Sequence, residues 1–192
     1  TNCDTETILN AYMYEPNNFL SSLNGMFSIC IYDQNTNEII LARDRIGVKP
    51  LYYYHYKNIF LFCSEIKPIL NYIKNVSFNP YGFISYLKSN YVNSSNTIFN
   101  NIKQLEPGHV LKFQNNSISI RKYWSISDVE SLSSFNTDTV NEIDNIFTSS
   151  LRLRNRSDVP VGAFLSSGLD SSLICSFYSK YINKNLKTYT LK

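Results

Sequence analysis

Ser166-Ser167-Gly168-Leu169-Asp170-Ser171-Ser172 lies between an apolar run, Val161 to Leu165, and the helix-forming stretch Leu173-Ile174-Cys175-Ser176-Phe177. Thr188-Tyr189-Thr190-Leu191 then begins a second strand. Strand, small-residue loop, helix, strand is one βαβ unit, so this end of the chain belongs to a parallel sheet. Such a loop turns backbone N–H groups and a helix N-terminus toward a phosphate. The Walker loop is excluded because no Gly-Lys-Ser/Thr follows at its spacing, and the dinucleotide fingerprint because Gly168 is the loop's single glycine. By themselves these residues equally describe a Ser-rich turn capping an ordinary helix, from Ser172 to Lys180.

Upstream the periodicity changes twice. Thr5 to Met13 carries Ile8, Leu9, Tyr12 and Met13 at helical spacing, with Asp4 placed to cap it. Phe19 to Leu23 adds a helical turn, stopped by Asn24-Gly25. Period-two segments follow at 26–32, 38–43, 51–56 and 59–63, with a turn at Asn35-Thr36-Asn37. Several of these strands are apolar on both faces, which calls for a sheet covered on both sides. Glu65 to Tyr72 reads as a helix interrupted by Pro68, and Asn79-Pro80 starts another over 81–88. A hairpin is expected at 109–113 and 117–124, turning at Gln114-Asn115-Asn116. Residues 125–136 are polar and Ser-rich, the composition of a linker. Beyond it Val140, Ile143, Phe147 and Leu151 mark a helix capped by Asn136 or Thr137.

The 192 residues are 43% hydrophobic, enough to bury a core in one or two domains, and a net charge of +3 is too small to argue for nucleic acid. Arg152, Arg154 and Arg156 read as a solvated helix end in preference to a phosphate clamp. Cys3, Cys30, Cys63 and Cys175 are far apart, with Cys30 and Cys63 expected inside apolar strands. His55 and His109 stand without carboxylate or cysteine partners at ligand spacing. No run is long enough to span a bilayer, and a cytoplasmic protein without nucleic-acid or membrane partners is expected. Four N-x-S/T sequons, at Asn75, Asn93, Asn115 and Asn155, are no more than such a composition yields by chance. Starting at Thr1 and stopping just inside a new strand, the chain reads as a fragment.

The loop at 166–172 resembles the SGGLDSS pyrophosphatase loop of ATP pyrophosphatases, with Ser167 where that family has its first glycine. The flanking Ser157-Asp158-Val159-Pro160-Val161-Gly162-Ala163-Phe164-Leu165 narrows the resemblance to the asparagine synthetase family. It extends over Asp4-Thr5-Glu6, Asn24-Gly25-Met26-Phe27, Ala42-Arg43-Asp44-Arg45-Ile46-Gly47-Val48-Lys49-Pro50-Leu51-Tyr52-Tyr53, Phe62 to Lys67, Leu105-Glu106-Pro107-Gly108 and Trp124, and so over essentially the whole chain. The Arg43–Pro50 stretch reads as structural or interfacial in preference to ligand-binding.

The resemblance implies a mixed α/β architecture. A partial αββα glutaminase sandwich of the Ntn-hydrolase type, a class II glutamine amidotransferase domain, would occupy 1–124. A linker at 125–136 and the start of a doubly wound parallel-sheet ATP-pyrophosphatase domain at 137–192 would follow. It implies ATP and Mg²⁺ as cofactors, with ATP at Leu165, Ser166, Ser167, Gly168, Leu169, Asp170, Ser171, Ser172 and Leu191, and Mg²⁺ on Asp170. Asp4 would hold the α-amino group of glutamine. No catalytic residue is assigned, since the nucleophile should be an N-terminal cysteine. Thr1 aligns well inside the domain and Cys3 lies beside the site at most. The implied reaction converts aspartate, glutamine and ATP to asparagine, glutamate, AMP and pyrophosphate through β-aspartyl-AMP, with a homodimer among the expected assemblies. The alternatives are an amidotransferase acting on another carboxylate, as in surface-polysaccharide synthesis, and a non-catalytic homologue.

Overall fold

The computed structural model describes residues 3–92, 95–129 and 136–191. Thr1, Asn93 and half of the expected linker, 130–135, fall outside the described residues. The chain divides into two units, Thr1–Glu130 and Ser131–Lys192.

The first unit begins with helices α1 (Asp4–Tyr14) and α2 (Phe19–Ser22). Strands β1 (Ser28–Asp33), β2 (Glu38–Arg43), β3 (Tyr52–Tyr56) and β4 (Ile59–Cys63) follow, as the period-two pattern requires. After them come α3 (Ile66–Ile73), α4 (Pro80–Ser89), β5 (Ile102–Gln104), β6 (His109–Gln114) and β7 (Ser117–Lys122). Two antiparallel sheets result, ordered β1-β2-β6-β7 and β4-β3-β5.

Alternation along β2 explains how the layers stack. Ile40 and Ala42 pack with Phe19, Leu20, Ile29 and Val110 beneath the first two helices. Their neighbour Leu41 points the other way, onto Leu51, Tyr53, Leu105 and Leu111 between the two sheets. On the second sheet Tyr53 faces inward, while Tyr54 joins Ile69 and Ile102 under α3. The order is helix, sheet, sheet, helix, the αββα sandwich that the resemblance implies. The sheets are antiparallel yet covered on both faces, which is why Ile39 to Ala42 of β2 are all apolar.

Local chemistry fixes the connections. Asp33 Oδ1 accepts from the Asn35 amide at 2.9 Å to close the first hairpin. Asn115 and Asn116, with φ of 49° and 59°, make the two-residue turn of the β6–β7 hairpin in the left-handed region that asparagine tolerates. Asn79 caps α4, accepting from the amides of Tyr81 and Gly82.

Several expectations are corrected. Pro68 does not interrupt α3, because it occupies the third helical position, where an N–H has no intrahelical acceptor. Asp4 is the first residue of α1 and not its cap; Cys3 takes the cap position without a side-chain bond. The short strand β5 carried no period-two signal, since it offers the single apolar side chain Ile102. Cys30 is exposed because β1 is an edge strand, and Cys63 is half-buried. His109 has a carboxylate neighbour after all, with Nε2 3.8 Å from Glu106.

In the second unit Asn136 and Thr139 form a reciprocal capping box at the start of α5 (Thr137–Arg154). Arg152 and Arg154 fill its last turn. Strand β8 (Gly162–Phe164), helix α6 (Leu169–Tyr181) and β9 (Lys187–Tyr189) form the expected βαβ unit, with β8 and β9 parallel. Phe147 of α5 meets Phe177 of α6 edge to face at 5.0 Å. Among the described residues no helix is long and apolar enough to cross a membrane.

Candidate functional site

The stretch from Arg43 to Lys49 is held by its own charges. Arg43 donates from Nε to the Lys49 carbonyl at 2.8 Å, from Nη2 to the Gly47 carbonyl at 2.8 Å and from Nη1 to the Leu105 carbonyl at 2.7 Å. Asp44, 1% exposed, accepts from the Val48 amide at 3.0 Å and the Lys49 amide at 2.9 Å. Burial alone would push its carboxyl up, but the amides of Lys49, Val48, Gly47 and Ile46 together outweigh that and hold it below the usual carboxylate range. Burial draws the Arg43 guanidinium downward, partly offset by Asp44. Gly47 has φ +71°, and a Cβ there would lie 2.7 Å from Pro107. The Tyr123 hydroxyl donates to the Arg43 carbonyl at 2.8 Å, and burial pushes that phenol up to about 12. Arg43 and Asp44 therefore brace the loop, and Arg43 also lines, with Arg45, Gly47, Pro107, His109 and Trp124, a cavity of about 540 Å³.

This loop supports a second cavity. The Asp44 amide donates to the Phe27 carbonyl at 3.0 Å, which fixes the strand end that follows Asn24-Gly25. Asn24, Gly25, Met26 and Phe27 meet Asp4, Thr7, Ile8 and Ser22 around a hollow of about 320 Å³. Asp4, from the motif Asp4-Thr5-Glu6, and Asn24–Phe27, some twenty residues on in sequence, thus line one cavity. The exposed Asp4 carboxylate stands in the first turn of α1 at its rim. Thr7 and Ser22 were not singled out from the sequence; hydroxyls on ordinary amphipathic turns leave no signal there. Cys3 does not line the hollow. Its thiol is held below the ordinary thiol range, chiefly by the backbone amide of Thr5 and then by the Thr5 side chain and the Glu6 amide.

In the second unit α6 begins at Leu169, earlier than the Ser172 start expected, so Asp170, Ser171 and Ser172 stand in its first turn. The loop closes on itself. Gly168 N–H donates to Ser166 Oγ at 3.1 Å, Ser166 Oγ lies 2.8 Å from Ser171 Oγ, and Ser172 Oγ donates to the Gly168 carbonyl at 2.9 Å. No side chain caps the helix, which leaves its first amides directed at the exposed surface around Ser166–Asp170. Ser167 is not among the residues of positive φ, and Gly168 is extended at φ −75°. A side chain at 167 therefore meets no left-handed strain. Leu165 and Leu191 follow the carboxyl ends of β8 and β9, where open α/β sheets bind ligands. They are drawn together by the Leu165 amide on the Tyr189 carbonyl at 2.8 Å and by Thr190 Oγ1 on the Leu165 carbonyl at 2.7 Å. Leu191 is 96% exposed. Asp170 belongs to no metal-binding cluster, for among the described residues no three His, Cys, Asp or Glu gather at metal-binding spacing. A single carboxylate suits Mg²⁺ that takes its remaining ligands from water and phosphates.

The family described as glutamine amidotransferase domain matches residues 1–124, and the family described as asparagine synthase matches residues 142–192. Glutamine-hydrolyzing asparagine synthetase 3 of Bacillus subtilis is 35% identical over 195 residues, covering 98% of this chain and 31% of that protein. Glutamine-hydrolyzing asparagine synthetase 1 of the same organism is 30% identical over 192 residues, covering all of this chain and 30% of that protein. Amidase chry2 of Gibberella zeae is 30% identical over 194 residues, covering 97% and 28% respectively. The chain spans about a third of the length of these relatives. With residues 1–124, most of its length, matched by the glutamine amidotransferase domain, the chain belongs to that family, and its remainder is similar to asparagine synthase.

Proposed function

We propose that this chain is part of an enzyme that moves the amide nitrogen of glutamine to the β-carboxylate of aspartate at the expense of ATP. The observation that carries the reading is the cavity where Asp4 meets Asn24–Phe27. Its volume suits a free amino acid, and a carboxylate at its rim suits an ammonium group. Asp4 binds the α-amino group of glutamine there. The glutaminase step takes an N-terminal cysteine whose own α-amine is the base, and no residue of this chain is given that role.

In the second unit the first amides of α6 receive the polyphosphate of ATP, helped by hydroxyls of Ser166, Ser171 and Ser172 that exchange their contacts within the loop for the ligand. Ser167 and Gly168 carry the loop backbone past the phosphates, with Leu169 opening the helix beneath them. Leu165 and Leu191 flank the adenosine. Asp170 would hold Mg²⁺, which neutralises charge on the leaving pyrophosphate when bound. Aspartate is activated as β-aspartyl-AMP, and ammonia displaces AMP to give asparagine.

The test is a stoichiometric assay on the protein at its relatives' full length, supplied with aspartate, glutamine, ATP and Mg²⁺. Asparagine, glutamate, AMP and pyrophosphate in equal amounts support the reading. The amidase name of the Gibberella zeae relative favours a second reading, in which the same machinery serves another carboxylate. AMP and pyrophosphate released only with a different acceptor would establish that one instead.

A further inference from the structure

Asn24-Gly25 is the one Asn-Gly pair in the chain, and both residues are exposed in the turn between α2 and β1. Among the described residues neither the Asn24 carboxamide nor the Gly25 N–H has a hydrogen-bond partner. A Cβ built on Gly25 would meet nothing within 4 Å, so no neighbour limits rotation about the Asn24–Gly25 peptide. The turn is anchored only at its ends. The Leu23 amide reaches the Leu20 carbonyl at 3.4 Å, and the Phe27 carbonyl accepts from Asp44 at 3.0 Å. Asn116-Ser117 shows the opposite arrangement. Asn116 Oδ1 lies 3.1 Å from His55 Nε2, its Nδ2 donates to Asn58 Oδ1 at 3.0 Å, and Ser117 is paired with Gln114 in the hairpin. That carboxamide is pinned and that of Asn24 is not.

We propose that Asn24 is a site of spontaneous deamidation, which places a second carboxylate in the Asp4 cavity. The backbone nitrogen of Gly25 attacks Asn24 Cγ and closes a succinimide ring. The bond from Cγ to the side-chain nitrogen breaks, and that nitrogen takes the proton given up by Gly25 and leaves as ammonia. Water then opens the ring at either carbonyl, giving aspartate or isoaspartate at position 24. Glycine suits the attack because no side chain shields its nitrogen, and here its N–H is committed to no acceptor. The product matters because Asn24 lines the same hollow as Asp4. Isoaspartate also lengthens the main chain by a methylene just ahead of Met26 and Phe27, which form the adjoining wall. The functional consequence rests on the reading that this hollow holds glutamine. The added charge repels the carboxylate of the bound amino acid, and glutamine binding weakens as the conversion proceeds.

Peptide mass spectrometry of the purified chain, incubated at mildly alkaline pH, tests the chemistry. The peptide carrying Asn24 should convert from amide to acid, in aspartyl and isoaspartyl forms, well before the peptide carrying Asn116. Gly25→Ala should slow the conversion by about tenfold, because a side chain shields the nitrogen and narrows the accessible backbone. The open space around Gly25 admits the methyl group, and unaltered circular dichroism shows that the variant folds. An Asn24 that stays an amide while Asn116 converts, or an equal rate in the Gly25→Ala chain, would overturn the proposal. At the relatives' full length, Asn24→Asp carries the new charge from the start and should raise the KM for glutamine by about five- to tenfold. An unchanged KM would overturn the consequence for glutamine. Asp4→Asn measured beside it separates the two failures, since a KM raised by that substitution alone keeps glutamine in the hollow.

Discussion

The carbonyl of Phe27 accepts a 3.0 Å hydrogen bond from the amide of Asp44. That bond ties the wall of the Asp4 cavity to the loop that Arg43 and Asp44 brace, so the shape of the hollow depends on charges that never face it. Loss of the brace should reach the cavity through the backbone.

Asp44→Asn is the direct test of the brace. It keeps the shape of the side chain but loses the charge and one acceptor, leaving the Lys49 or Val48 amide unsatisfied at a cost of about 2–3 kcal/mol. The folded carboxyl lies below its unfolded value. Its contribution is therefore complete above the unfolded pKa of about 3.9 and is lost as pH falls through the folded value. Urea unfolding should show a full gap between wild type and variant at neutral pH, closing in strong acid. An unchanged gap would mean that ionisation of Asp44 contributes nothing.

Gly47→Ala and Ser167→Gly should differ in kind. Alanine at 47 meets both a φ of +71° and the Pro107 ring, and should destabilise by about 2–3 kcal/mol. Glycine at 167 relieves no strain, because Ser167 is not in the left-handed region. It should lower stability by about 0.5–1 kcal/mol through the unfolded chain alone, and leave pyrophosphate release from ATP unchanged. A large gain in pyrophosphate release on restoring glycine would show that the serine impairs the loop.

Cys3 and Cys30 should separate on alkylation. Backbone donors from Thr5 and Glu6 favour the Cys3 thiolate, whereas desolvation raises the Cys30 thiol. At neutral pH iodoacetamide should modify Cys3 first, read by peptide mass spectrometry, and the difference should narrow as pH rises past both values. Equal rates at neutral pH would contradict these environments.

Much of this was legible in the sequence where a single period or turn residue dominates. The edges of β2 and β4, the Asn115–Asn116 turn and the Asn136 cap follow from local chemistry, and Ile40 and Leu41 announce coverage on both faces. Position within the sheet was not legible. Cys30 looks like a core residue in its strand and is exposed because β1 pairs on one side only. Phe83, Ile84 and Leu87 of α4 are a stronger case, since such a run reads as buried, yet they are exposed while Gly82 packs against Thr97. At the Asp4 cavity the sequence supplied Asp4 and the Asn24–Phe27 turn, but Thr7 and Ser22 join them only through the packing of α1 on α2.

The claim that glutamine sits on Asp4 has one decisive measurement: glutamine hydrolysis by the full-length protein, wild type against Asp4→Asn. Removing a charge-assisted bond of about 2–3 kcal/mol should raise the KM for glutamine by about thirty- to a hundred-and-fiftyfold. Turnover with ammonia as nitrogen source should stay unchanged, because ammonia does not use the cavity. An unaltered KM for glutamine, or an equal loss with ammonia, would contradict the assignment.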